Sequence, residues 1–177
     1  MKRVESVLAE LDSARRRLLA EVEGLQDPRF GEVPRGGGWS VSQAIQHLAA
    51  SEEGIARGIE VGNAGRLRAK KLGSDSLRRL LYSSNLYKLV PFKTRPAFDP
   101  ERALPRDESM ALLAASRARL LCAIEEGERR NLWSYRLRHP IFGLLSMPEM
   151  LRFLAYHEER HRLQIVRIKA ALARNGN

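Results

Sequence analysis

The chain has 177 residues, with 44% apolar, 29% charged and 6% aromatic side chains and a formal net charge of +10. That length fits one domain with a sizeable core, and the mixed composition is that of a soluble globular protein rich in helix. A single cysteine, Cys122, excludes an internal disulfide scaffold, and no apolar run reaches bilayer length or forms a secretory signal, so residence in the cytoplasm is expected.

The first amphipathic stretch covers about residues 2–25. Val4, Leu8, Leu11, Leu18, Val22 and Leu25 share one helical face, and Asp27-Pro28 is the expected stop. The second begins at Trp39-Ser40, where Ser40 and Gln43 form an S-x-x-Q capping box. Val41, Ala44, Ile45, Leu48, Ile55 and Ile59 continue its apolar face. Beside them Ala44, Ser51, Gly54 and Gly58 form a stripe of small residues that admits a neighbouring backbone or leaves room for a pocket. Trp39 is expected to pack as an N-terminal staple or a pocket wall.

Residues 62–106 carry 11 Lys/Arg against three acids. Leu77, Leu80, Leu81, Leu86 and Leu89 are interleaved with the basic residues at helical spacing, which predicts a short amphipathic helix with a solvated basic face. The Pro-rich stretch VPFKTRPAFDP then reads as extended. The third long helix is expected from about Asp107, as N-cap, to Gly127, with Met110, Leu113, Leu120 and Ile124 inward. Cys122, among apolar neighbours, is expected to be a buried small hydrophobe. Trp133 is expected to cover the bundle end, and His139, in RHPIFG, to sit in a loop that shapes a turn or lines a pocket mouth.

The fourth helix opens at Ser146, where S-M-P-E gives a second capping box with Glu149, and runs to about Ala173 before Asn175-Gly176. No strand pattern of any length competes, so the fold class is all-α: a single four-helix bundle over residues 1–177, with one long basic, helix-containing crossover between helices two and three.

The fourth helix contains HEERH, residues 157–161. The string satisfies the HExxH zinc signature of metalloproteases, but those enzymes take a third ligand from downstream, and no Asp, Glu, His or Cys follows His161. The two imidazoles nevertheless interrupt the apolar stripe Leu151, Leu154, Ile165, Ile168. Two polar rings facing a core need partners, and one shared cation satisfies both. His47, on the second helix beside the small residues, is the best third ligand, because bundles build metal sites from side chains on facing helices. Three neutral imidazoles leave coordination positions open, the mark of a catalytic site. Glu158 is either a general base or a charge directed to a neighbouring helix or to solvent; Glu52 and Glu53 are candidates to support the ligands.

GGWSVSQAIQHLAASEE and HPIFGLLSMPEMLRFLAYHEERHRLQI carry a resemblance to the DinB-like (YfiT-like) family of metal-dependent enzymes. Trp39, Ser40, His47 and Leu48 match the first of its segments; His139, Pro140, Gly143, His157, His161, Gln164 and Ile165 match the second. The resemblance spans the chain and implies a bundle in up-down-down-up order, a homodimer, and a divalent metal on His47, His157 and His161. Zinc or nickel is the leading expectation, with iron or manganese also compatible. It implies a hydrolase-like enzyme or a transferase that uses a small thiol, acting on a small-molecule substrate, anionic or thiol-linked, which Arg78 and Lys93 would attract. The competing functions are a non-catalytic, metal-stabilised binding or stress-related protein and, less favoured, nucleic-acid binding through the basic segment, which holds no recognised motif. No membrane partner is expected.

Overall fold

The computed structural model describes residues 2–63, 99–139 and 142–174. Among them are four long helices, α1 (Lys2–Val22), α2 (Val41–Asn63), α3 (Arg106–Glu128) and α4 (Met147–Arg174). A single 3-10 turn (Leu132–Ser134) and a hairpin of β1 (Arg136–His139) and β2 (Gly143–Ser146) lie between α3 and α4. The principal pairings are α2 with α3 and α1 with α4, and α2 also meets α4. Residues 64–98 of the basic segment 62–106, with its expected helix, Arg78 and Lys93, lie outside the described residues.

Local signals account for most helix ends. At the start of α2 the capping box closes in both directions: the Gln43 N–H donates to Ser40 Oγ at 3.2 Å and the Ser40 N–H to Gln43 Oε1 at 3.0 Å. At α4 the Ser146 N–H donates to Glu149 Oε2 at 2.9 Å, but the Ser146 hydroxyl also donates to that oxygen, at 2.6 Å, so the carboxylate takes both bonds. α1 ends at Val22, earlier than expected, because Gly24 turns the chain with φ +75° and only glycine adopts that backbone without strain. α3 starts at Arg106, and Asp107 does not cap it. Asp27, from the α1–α2 connection, accepts the Arg106 N–H at 3.2 Å instead, so the cap is tertiary.

Two corrections concern the stretch after α3 and its outer face. Residues 136–139 and 143–146, expected to contain no strand, pair antiparallel in the register Arg136↔Ser146 to His139↔Gly143. Leu137 and His139 face inward and Arg138 outward, and four residues are too few for that alternation to stand out in a sequence. His139 therefore ends a strand, buried, and its Nδ1 accepts the Phe142 N–H at 3.2 Å. Cys122 is exposed, because Leu120, Ala123 and Ile124 take the inward face of α3 and leave Leu121 and Cys122 outside. Of the small residues on α2, Gly58 lets the hairpin approach: a Cβ there would lie 3.3 Å from Leu137. Gly54 is exposed.

The core divides into two apolar clusters. One gathers Val7 and Leu11 of α1, Ile59 of α2, Leu120 and Ile124 of α3, Leu137 and Leu145 of the hairpin, and Leu151 and Leu154 of α4. The other gathers Leu18, Phe30, Ile45, Leu48, Leu113, Ile165 and Ile168. Each such side chain contributes about 2 kcal/mol on burial. Between the two clusters every helix interrupts its apolar stripe with a buried polar residue: Arg15 on α1, Glu52 on α2, Ser116 on α3, and His157, Glu158 and His161 on α4. The three histidines of the candidate site lie at or beside this polar level.

Candidate metal centre

α2 and α4 bring His47, His157 and His161 together, buried, with one ring nitrogen of each inside a 4.8 Å span. His157 Nε2 lies 3.1 Å from His47 Nε2 and 3.2 Å from His161 Nε2. The i, i+4 spacing places the last two on one face of α4, and the α2–α4 contact delivers the first.

The hydrogen-bond inventory of these rings tests whether a cation fits. Gln164 Oε1 sits 2.7 Å from His161 Nδ1. An amide oxygen only accepts, so Nδ1 carries the proton and the lone pair of neutral His161 is on Nε2, facing the other imidazoles. A proton on His157 Nε2 could satisfy only one of its two short contacts. His157 Nδ1 is buried and has no hydrogen-bond partner among the described residues, whichever ring nitrogen carries the proton. Three converging, buried imidazole nitrogens suit a divalent ion better than they suit one another.

Electrostatics agree with the neutral state. Burial pushes His157 well below its ordinary value, and the neighbouring His161 and His47 push it further. Burial also drives His161 down to about 3; His47 adds to the shift and the Gln164 hydrogen bond opposes it. Neutral imidazole is the form that ligates a metal. Two aromatic walls flank the rings. Trp39 lies 4.9 Å from His47 and nearly parallel to His161 at 6.0 Å, and Phe153 stacks on His157 at 5.3 Å. Phe153 also meets His139 at 4.3 Å, which links the hairpin to the site through one ring. Phe153, one turn before His157, had no polar atom to mark it in the sequence.

Glu158 turns to the other side of α4. Its Oε1 accepts from Arg15 Nε at 2.9 Å, Arg15 Nη2 at 2.7 Å and Arg117 Nη2 at 2.7 Å. Glu52 completes a ring: it accepts from Arg15 Nη2 at 2.9 Å, Arg117 Nε at 2.5 Å and the Ser116 hydroxyl at 2.7 Å. Two guanidiniums and two carboxylates, one from each helix, thus form a neutral buried quartet. Burial disfavours the Arg15 charge, but Glu158 and Glu52 outweigh it and hold the guanidinium protonated. Burial pushes the Glu158 carboxyl up while Arg15 and Arg117 pull it down. Three N–H contacts on one oxygen favour the carboxylate. Glu53 faces outward to Arg57 and Arg119. Neither Arg15 nor Arg117 was singled out from sequence; the available signal was a charge inside the stripe Leu11, Ala14, Leu18.

Residues 10–165 match the DinB superfamily. The chain is 20% identical over 158 residues to the uncharacterized protein YuaE of Bacillus subtilis (strain 168), a match that covers 87% of this chain and 91% of that one. Its fold is similar to the solved structure of TT2238, a four-helix bundle protein, with TM-score 0.57 and 25% identity over 91% of this chain and 95% of that one.

Proposed function

The chain belongs to the DinB superfamily, and from that premise we propose that it is a metal-dependent enzyme whose divalent ion is held by His47, His157 and His161. The observation that carries this reading is the convergence of three imidazole nitrogens, with the tautomer of His161 set by Gln164. When bound, such an ion supplies Lewis acidity that activates a water or a thiol near neutral pH. The residues of the chain do the rest. Gln164 holds the His161 ring in the ligating tautomer, and Trp39 and Phe153 limit water around the imidazoles.

Glu158 and Glu52 act as positioning residues. Each sits close in sequence to a ligand, Glu158 beside His157 and Glu52 five residues after His47, so the quartet sets how α2 and α4 face each other. With its Oε1 engaged by two arginines, Glu158 is assigned to this role and not to proton transfer. The quartet also weighs against a purely structural metal, since ion pairs already join all four helices. The reaction class is hydrolase-like or small-thiol transfer on a small molecule, in the cytoplasm, by a homodimer; no helix among the described residues is long and apolar enough to cross a membrane. Zinc or nickel fits a three-imidazole set best.

Elemental analysis of tag-free protein beside His47→Ala tests the centre. About one divalent ion per chain, lost in the variant, is the expected result for a three-imidazole site with open positions. Native protein that takes up no metal after reloading would overturn the reading.

A further inference from the structure

One groove stands next to the metal centre with a charge pattern that the site itself does not use. It has a volume of about 430 Å³ and lies between the loop 34–39 and the C-terminal turns of α4. Arg35, Arg167 and Arg174 line it, and no acidic residue does. Most arginines elsewhere on the described helices have a carboxylate partner, as Arg16, Arg57, Arg119, Arg152 and Arg162 do. These three have no ion pair or hydrogen bond among the described residues. Gln164 also lines the groove; its oxygen is taken by His161, and its NH2 has no partner among the described residues.

The loop adds backbone donors. The Gly37 N–H closes a turn onto Pro34 O at 2.8 Å, and Gly37 and Gly38 have φ of +79° and +98°. A side chain at either position would strain that path, so glycine is what lets the loop run here. The N–H groups of Gly36 and Gly38 have no hydrogen-bond partner among the described residues. These two donors flank the engaged Gly37 N–H, so the loop offers an anion separate N–H groups beside the guanidiniums.

The helix dipole is the competing explanation for basic residues at this end of α4. It accounts for Arg174, in the last turn. It does not account for Arg167, about two turns earlier, or for Arg35, which reaches the same groove from a separate loop. Spacing ties the groove to the metal centre. His161, Gln164, Arg167, Ala171 and Arg174 follow one another three or four residues apart, so a ridge that winds around α4 leads from the buried His161 through Gln164 to the exposed guanidiniums. His161 and Arg167 are separated by about 9 Å along the axis at 1.5 Å per residue. Trp39 lines the groove and also touches His47 and His161.

We propose that this groove binds the oxyanion group, carboxylate or phosphate, of a small-molecule substrate whose reactive end reaches the three-histidine centre. The identification as a substrate subsite rests on the metal-dependent reading above; anion binding by the groove does not. The class implied is a small acid or phosphate ester long enough to span the two sites, whose anchoring residues on α4 are six positions apart.

The test is a titration of the intact protein with inorganic phosphate at about 0.15 M chloride, where screening suppresses diffuse attraction, followed by backbone amide NMR. It is run on the wild type, Arg35→Ser/Arg167→Ser, His47→Ala and the exposed control Arg129→Ser. The expected result is saturable binding with shifts centred on Gly36–Trp39 and Gln164–Arg167. The double variant should weaken it about fivefold or more, as expected for losing two solvent-exposed guanidiniums, and should keep its metal. His47→Ala should still bind phosphate, so loss of the metal reading and loss of the groove are told apart. No saturable binding overturns the proposal. So does equal weakening by Arg129→Ser, or preference for an oligonucleotide over phosphate with shifts spread across the basic surface.

Discussion

Replacing Glu158 by glutamine keeps the shape of the side chain and removes its charge. Oε1 accepts three guanidinium N–H bonds, two from Arg15 and one from Arg117, at 2.7–2.9 Å. The Arg15 and Arg117 side chains are only 9% and 13% exposed, so solvent does little to replace the lost charge. In the variant the two cations share Glu52 as their only carboxylate in the quartet. Removing one partner of a buried pair costs about 3–5 kcal/mol. Glutamine retains an acceptor oxygen, which places the expected loss near the lower end, about 3 kcal/mol. Against a total stability of roughly 5–15 kcal/mol this is large. It moves a urea midpoint down by about 1–2 M for an m-value of about 1.5–3 kcal/mol/M. The assay is urea unfolding of metal-free protein followed by far-UV circular dichroism, with metal content measured separately. A loss below about 1 kcal/mol would refute the argument that these contacts tie the helices together. A variant as stable as wild type that binds metal but has lost turnover would return Glu158 to the role of general base.

Two further outcomes follow from the same geometry. Gln164→Ala removes the acceptor that fixes the His161 tautomer and should weaken metal affinity about 10–100-fold with little change in fold, read by competition with a chromogenic chelator; unchanged affinity would mean that the ring is oriented by packing alone. Ser40→Ala opens the capping box of α2 and should cost about 1 kcal/mol in thermal or urea unfolding, and an unchanged midpoint would show that Gln43 alone suffices there.

Much of the fold was legible because helices are specified locally. The 3-4 spacing of Leu11, Leu18, Ile45, Leu48, Leu113 and Leu120 gives their faces, and the capping residues Ser40 and Ser146 give two of the starts, since both depend on neighbours within one or two turns. The i, i+4 pair His157 and His161 was readable for the same reason, and His47 followed from the need for a third ligand on a facing helix. Other features depend on contacts between residues far apart in the chain, and these only the tertiary structure decided. Asp27 caps α3 across 79 positions. The hairpin forms where α2 offers Gly58 as a shallow surface for Leu137. Glu158 adjoins the candidate ligand His157 in sequence, yet a helix turns successive side chains by about 100°, and what waits on that other face is Arg15 and Arg117. The sequence determined that Glu158 is charged and lies next to the centre. Packing of four helices decided that the charge is spent on two arginines, because which side chains meet across helices is set by their relative rotation and not by spacing along any one of them.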